Sequence, residues 1–326
     1  MGDIKGTTPT RLGASTIEAP PLCFGTSSLG DMPNTYGYRV DAERARATVR
    51  AIFDGPQKFL DSSRNYGAGR SEARVGEVIR ERGGLPEGVI ISTKLDRDME
   101  TRRFDADQAR RSLEESLKTL NLDRVHLLHL HDPEYAADLG EITARDGALS
   151  TLFKMKEEGL CDAVGLAAGR TDIMIPILKD WDFDALISHN RFTLVNRHAE
   201  PMMDLAKARG VSVLNAAPYA GGVFAKGSAD HPRYVYQEAD EAMLAPVRNI
   251  EKICAQHQVP PGALALQFSM RDPRIASTIC GVSKPERVRQ TLAWASLPIA
   301  DEVWEQVAEL GYSADDPEAS RVYQPD

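Results

Sequence analysis

Phe59-Leu-Asp-Ser-Ser-Arg-Asn-Tyr-Gly-Ala-Gly-Arg-Ser-Glu72 begins as a short apolar run, reaches Asp61, and passes through a glycine-rich turn carrying Tyr66 into an amphipathic stretch. Ile90-Ile-Ser-Thr-Lys94 and Val125-His-Leu-Leu-His-Leu-His131-Asp-Pro repeat the plan, each an apolar run that ends on a charged or titratable residue. Such runs read as buried strands that deliver their last residue to the C-terminal edge of a parallel sheet, where α/β folds place their chemistry. Three successive strand ends therefore offer an aspartate, a tyrosine, a lysine and a histidine.

Working outward, eight strands are expected: Pro21–Ser27, Lys58–Ser63, Gly88–Leu95, Arg124–His131, Asp162–Ala168, Ala185–Phe192, Val211–Tyr219 and Ile275–Ser283. Amphipathic helices separate them, among them Asp41–Phe53, Ser71–Arg82, Asp105–Leu120, Gly140–Glu158, Glu200–Arg209, Met243–Gln258 and Lys284–Ala295. Regular alternation implies right-handed βαβ units, and eight of them imply closure into a (β/α)8 TIM barrel. The 326 residues suffice for one such domain of about 250 residues with insertions. Thr8–Glu18 is expected to form a hairpin under the barrel. Ala225–Glu241, after strand 7, is too long for an ordinary connection, and Ser313–Asp326 reads as a polar tail.

A formal charge of -9, from 39 basic and 48 acidic residues, argues against a nucleic-acid surface or an anionic-membrane patch and favours a small-molecule partner. No run approaches a membrane span, and the N-terminus lacks a secretory pattern, so the expected location is the cytoplasm. Cys23, Cys161, Cys254 and Cys280 form no CxxC pair and read as reduced apolar fillers. Gly67-Ala-Gly69 does not have the spacing of a dinucleotide fingerprint.

Side chains two apart on a strand share a face, so Asp61, Lys94 and His131 reach the barrel mouth together, with Tyr66 on the loop beside them. A phenol is a poor base at neutral pH. A nearby ammonium lowers its pKa, Asp61 keeps that ammonium charged, and His131 holds the substrate oxygen. This suits proton exchange on a carbonyl or alcohol while hydride moves to or from a cofactor.

Asp61, Tyr66 in Asn-Tyr-Gly-Ala-Gly-Arg-Ser-Glu, Lys94 in Ser-Thr-Lys and His131 in Leu-His-Asp-Pro resemble the tetrad of the aldo-keto reductase superfamily, and the likeness spans nearly the whole chain. It implies that Tyr66 is the general acid/base, Lys94 tunes it, Asp61 supports Lys94 and His131 orients substrate. It also implies NAD or NADP lying extended over the barrel top. Gly25 and Thr26 match positions near the nicotinamide. Ala167-Ala168 stand where the family commonly has Ser-Asn, and His189 and Asn190 fall where a glutamine is usual. Pro218 and Tyr219 sit in the segment for the stacking aromatic, and the pyrophosphate is expected at the backbone from Tyr219 through Gly221 and Gly222. Gly281, Ser283, Arg287 and Thr291 resemble the adenosine segment, with Gly281 replacing a lysine common in NADP-specific members, so both coenzymes stay open.

Asn190–Leu194, Arg209–Asn215 and Tyr234-Val-Tyr236 resemble the branch of aldose 1-dehydrogenases, with pyridoxal 4-dehydrogenases as neighbours. The branch implies oxidation of a cyclic hemiacetal to a lactone, with Tyr66, His131, Tyr234 and Tyr236 at the substrate. Three other readings stay in competition. His129, His131 and His189 raise a metal hydrolase, although no carboxylate cluster completes a ligand set and no metal is expected. A non-catalytic nucleotide-sensing subunit and a general carbonyl reductase are the others. Nothing in the chain specifies the oligomeric state.

Overall fold

The computed structural model describes residues 8–321. Twelve strands are present among the described residues, and eight of them close into a barrel. β1 (Thr10–Arg11) and β2 (Glu18–Ala19) form an antiparallel pair. Then come β3 (Leu22–Gly25), β4 (Phe59–Asp61), β5 (Ile90–Leu95), β6 (Val125–His131), β7 (Cys161–Ala168), β8 (Ala185–His189) and β9 (Ser212–Ala216). β10 (Arg233–Tyr234) pairs with β11 (Gln237–Glu238), and β12 (Ile275–Gly281) follows. The barrel order is β12-β3-β4-β5-β6-β7-β8-β9, all parallel, and the eight expected strands are its eight staves.

Helices cover the outside, and the Asp105 start signal operates as read. Asp105 accepts a 2.9 Å hydrogen bond from the Gln108 amide at the head of Ala106–Leu120. The stretch expected as one helix over Gly140–Glu158 is two, Leu139–Thr143 and Ala148–Glu157. Gly147 lies at the break, where a Cβ would stand 2.4 Å from Glu141 O, so the chain turns there with room only for glycine.

Inside the barrel the side chains make a packed plug. Phe59, Leu127, Ala163, Ala185 and Leu214 meet Leu12 and Ile17 of the N-terminal hairpin, which closes the bottom as expected. Higher up, the His129 ring lies across β7 at Gly165, where a Cβ would be 2.3 Å from His129 Cδ2. The floor of the mouth is thus filled.

Two departures concern the top. The stretch expected as a polar tail runs, from Ser313 to Arg321, against the end of β8: Asn196 pairs with Ser313, and Arg191 bridges to Asp316 and Glu318. Residues 322–326 of that expected tail lie outside the described residues. The long connection after β9 holds a short helix, Val223–Lys226, and the β10–β11 hairpin. Among the described residues no helix is long and apolar enough to cross a membrane.

Candidate active site

Asp61 and Lys94, the last inward residues of β4 and β5, meet in the barrel mouth. Lys94 Nζ donates to Asp61 Oδ1 at 2.8 Å, to Asp61 Oδ2 at 2.7 Å and to Ser62 O at 2.6 Å. Ser92 Oγ adds a 3.0 Å bond to Asp61 Oδ1. Lys94 is 1% exposed. A buried ammonium is tolerated only with such full pairing, because desolvating an ion costs several kcal/mol.

Tyr66 reaches the same mouth from the turn after β4. That turn is fixed by backbone contact: Gly67 has φ 60, and a Cβ there would stand 2.0 Å from Gly30 O. The Tyr66 ring lies with Lys94 Nζ 4.8 Å from its centroid and meets His131 edge-on, centroids 5.9 Å apart at 86°. Its Oη has no hydrogen-bond partner among the described residues. The ring opens only to the cavity, and this enclosure, with the Asp61 charge next in weight, pushes the phenol well above its ordinary pKa. The lowering expected from Lys94, whose ammonium is bound by Asp61 and Ser62 O, is outweighed by burial and by the neighbouring carboxylates.

His131 ends β6, and its Nδ1 lies 2.6 Å from Asp96 Oδ1. Asp96 also accepts from Ser63 Oγ at 2.6 Å and from the Asn65 amide at 2.9 Å. Burial opposes ionisation of Asp96, but His131 and these donors outweigh it and hold the carboxyl below its usual range. Burial likewise works against a charged His131, yet Asp132 and Asp96 raise its pKa. Asp96 was not among the expected site residues. It continues the inward period of Ile90, Ser92 and Lys94 one step past the strand.

A continuous cavity is lined by Asp61, Tyr66, Lys94 and His131 and runs past Gly25, Ala216, Tyr219, Gly221 and Gly222 to Gly281, Ser283, Arg287 and Thr291. His189 and Tyr236 also line it. Thr26, Asn190, Pro218 and Tyr234 do not. Thr26 Oγ1 is tied to Asp61 O at 3.0 Å and receives Ser71 Oγ at 2.9 Å, which makes it a strap between strand ends. The Asn190 amide donates to Glu318 at 2.8 Å. Pro218 is buried below the surface of the groove, and Tyr234 is buried in the cluster of Val223, Leu244 and Val247.

Lys226, Arg321, Tyr36, Tyr38 and Trp294 line the cavity without having been expected there. Lys226 Nζ lies 4.3 Å from the Tyr38 ring centroid, and burial, then Arg287 and Arg233, pull its pKa down to about 8. Neither Lys226 nor Arg287 has a carboxylate partner among the described residues. Two cations without counter-charges at the far end of an extended groove form a donor set suited to phosphate, which the coenzymes expected from the sequence carry. Among the described residues no group of three or more His, Cys, Asp or Glu is arranged to hold a metal ion. His129 is buried, with Nδ1 3.3 Å from Ser92 Oγ and Nε2 lacking a partner, so it is only partly satisfied.

The sequence pattern of the Aldo/keto reductase family matches residues 21–311. Among curated proteins, pyridoxal 4-dehydrogenase of Microbacterium luteolum is 26% identical over 92% of this chain and 96% of its own length. D-threo-aldose 1-dehydrogenase of a Pseudomonas species is 26% identical over 91% and 95%, and L-galactose dehydrogenase of Arabidopsis thaliana 28% identical over 86% of each. Among solved structures, the holo form of an aldo-keto reductase from Bacillus halodurans superposes with a TM-score of 0.77 at 19% identity, covering 97% of this chain and all 100% of that one. A glycerol dehydrogenase from Gluconobacter oxydans gives 0.71 at 18% identity over 94% and 95%. With the pattern running from β3 beyond β12 and the barrel shared, the chain belongs to the aldo/keto reductase family and is an NAD(P)-dependent oxidoreductase.

Proposed function

We propose that this enzyme oxidises the hemiacetal carbon of an aldose of the L-fucose, D-arabinose or galactose type, or of pyridoxal, to a lactone, with Tyr66 as general acid/base. One observation carries the reading: a phenol without a protein hydrogen-bond partner stands between the Lys94–Asp61 pair and His131 in the cavity mouth. A nicotinamide coenzyme held in the groove would supply the hydride-transfer chemistry, in either direction.

This chain's own groups do the rest. In oxidation Tyr66 Oη, as the phenolate, takes the anomeric hydroxyl proton and becomes the phenol; in reduction it gives that proton back. Lys94 supplies positive charge 4.8 Å from the ring centroid, which favours the phenolate that oxidation requires and that reduction leaves behind. Asp61 keeps Lys94 charged and aimed. Asp96 fixes His131 through Nδ1, and Nε2, 3.5 Å from Asp132 Oδ1, is the nitrogen that would hydrogen-bond the substrate oxygen. Gly25, His189, Tyr219, Gly221, Gly222, Gly281, Ser283, Arg287 and Thr291, together with Lys226, are assigned to NAD or NADP, and Tyr236 to the substrate. Four buried free cysteines accord with work in the cytoplasm.

A second reading, general carbonyl reduction, is favoured by the same phenol's raised pKa, because a phenol kept protonated is ready to donate. Absorbance at the reduced-nicotinamide band, with a panel of aldoses, pyridoxal and simple aldehydes and each coenzyme in turn, tests both. Faster oxidation of an aldose or pyridoxal than reduction of simple aldehydes is expected. Reduction of propanal with no oxidation of any aldose or of pyridoxal would replace the first reading by the second.

A further inference from the structure

A second cavity adjoins the catalytic one, and Tyr236 and Arg321 line both. Arg233, Gln237 and Glu238 of the hairpin form much of its remaining wall. Tyr236 stands at the partition because Val235 and Tyr236, the two-residue turn between β10 and β11, both take left-handed backbone, φ 43 and φ 71. Asn-Gly is the usual occupant of such a turn, and a β-branched residue there is an outlier.

Tertiary contacts hold the unfavourable turn. Val235 is fully buried, and its amide donates to Ala220 O at 3.2 Å. Gly221 lies so close that a Cβ would stand 2.7 Å from Tyr236 N. The Tyr236 ring meets Tyr36 edge-on at 5.8 Å, and the Arg321 guanidinium lies 5.0 Å from its centroid. Strain kept in place by surrounding contacts is a common mark of a functional wall.

The second chamber has an unusual balance of groups. Arg321 donates to Glu318 at 2.6 Å, and Glu318 is itself held by Asn190 at 2.8 Å and Arg191 at 3.2 Å. Arg233 donates to Glu238 at 2.5 Å. Arg321 shares Glu318 with Arg191, which also pairs with Asp316, so the three arginines Arg321, Arg191 and Arg233 face the three carboxylates Glu318, Asp316 and Glu238 and no surplus charge remains. Donors do remain: Arg233 Nε and Gln237 Nε2 are buried and have no acceptor among the described residues. A surplus of N–H donors without a surplus of charge suits neutral oxygen acceptors better than an anion.

We infer that Arg321, Arg233 and Gln237 form a distal subsite for the hydroxyl-bearing end of a neutral polyol substrate, whose reacting carbon lies at Tyr66. This rests on the proposed aldose reading and adds to it the exclusion of anionic sugars.

Calorimetric titration of the coenzyme-loaded protein with galactitol and with galactonate tests the subsite without turnover. Galactitol binding is expected, with galactonate no tighter. Gln237→Leu and Arg321→Met should each weaken galactitol about tenfold, the loss of roughly one hydrogen bond. Gln237→Leu removes a donor that has no partner among the described residues, so it remains informative if Arg321→Met loosens the C-terminal segment. Absence of galactitol binding, galactitol affinity untouched by Gln237→Leu, or Arg321-dependent preference for galactonate would each overturn the inference. Galactitol binding that responds to Gln237→Leu, with no aldose oxidised in the same samples, would instead sink the dehydrogenase reading and leave the subsite standing.

Discussion

Lys94 Nζ sits within 2.8 Å of both carboxylate oxygens of Asp61, and Ser62 O takes its third proton at 2.6 Å. The ammonium therefore acts on Tyr66 through its field across 4.8 Å to the ring centroid, with no direct bond to the phenol oxygen. Asp61 serves two ends at once: it keeps a buried cation charged, and its own negative charge works against phenolate formation.

Asp61→Asn should accordingly damage the fold as well as turnover. Removing one partner of a buried ion pair leaves the other uncompensated, at about 3–5 kcal/mol. Urea denaturation of the variant should show a loss of that size. A loss below about 1 kcal/mol would mean that Lys94 finds another counter-charge.

Tyr66→Phe should behave in the opposite way. Since Oη has no hydrogen bond within the described protein, stability should stay within ~0.5 kcal/mol of the parent, while turnover falls by roughly 10²–10⁴. Coenzyme affinity, followed by fluorescence quenching, should be retained. Equal losses in coenzyme binding and turnover would make Tyr66 a packing residue.

The His131–Asp96 pair predicts a window of pH. Asp96 has its carboxyl below the ordinary 3.8, so its contribution is present above that value and is lost as acid reaches the lowered pKa. His131 is raised above 6.5, so its contribution is complete below 6.5 and fades as pH climbs through the raised value. The stability difference between the parent and Asp96→Asn should peak between these limits, at ~2 kcal/mol. Denaturation midpoints from pH 3 to roughly 9 would show it, and a constant difference across that range would dissolve the pair as a charge-coupled unit.

Glu72 carries the reverse sign. Buried beneath the mouth and bonded to Thr93 Oγ1, it has its pKa pushed up to about 7, first by burial. A raised carboxyl favours the fold below 4.5, and that advantage disappears as pH rises through 7. Glu72→Gln should therefore match the parent near pH 4.5 and exceed it above pH 7, by at most ~3 kcal/mol. Ser116, whose side chain already helps to hold the Glu72 carboxylate, can accept through Oγ from the new amide. No gain at alkaline pH would show that Glu72 ionises without penalty.

The barrel was legible because each strand is an apolar run between turn signals, and the mouth because inward positions recur every second residue. Asp96 keeps that period but stands beyond the apolar run, and only contacts with Ser63, Asn65 and His131 reveal its place. Tyr66 was misjudged in the direction of its pKa because chain spacing does not show how deeply the ring is enclosed or how near it stands to the Asp61 carboxylate. Tyr234 and Tyr236 were read as a pair, but a left-handed turn built from Val and Tyr gives no sequence warning, and it sends one ring into the core and the other to the cavity. Glu318 looked like tail polarity because its partners Asn190 and Arg191 are 128 and 127 residues away.

The seam of the barrel joins β12 to β3, with Thr278 opposite Leu22 and Gly281 opposite Gly25. Staves separated by almost the entire chain must find each other before either edge is covered. Folding of this protein should thus be limited by a late, long-range search, during which two unsatisfied strand borders invite pairing between molecules. Dilution during refolding should favour recovery of native enzyme for that reason.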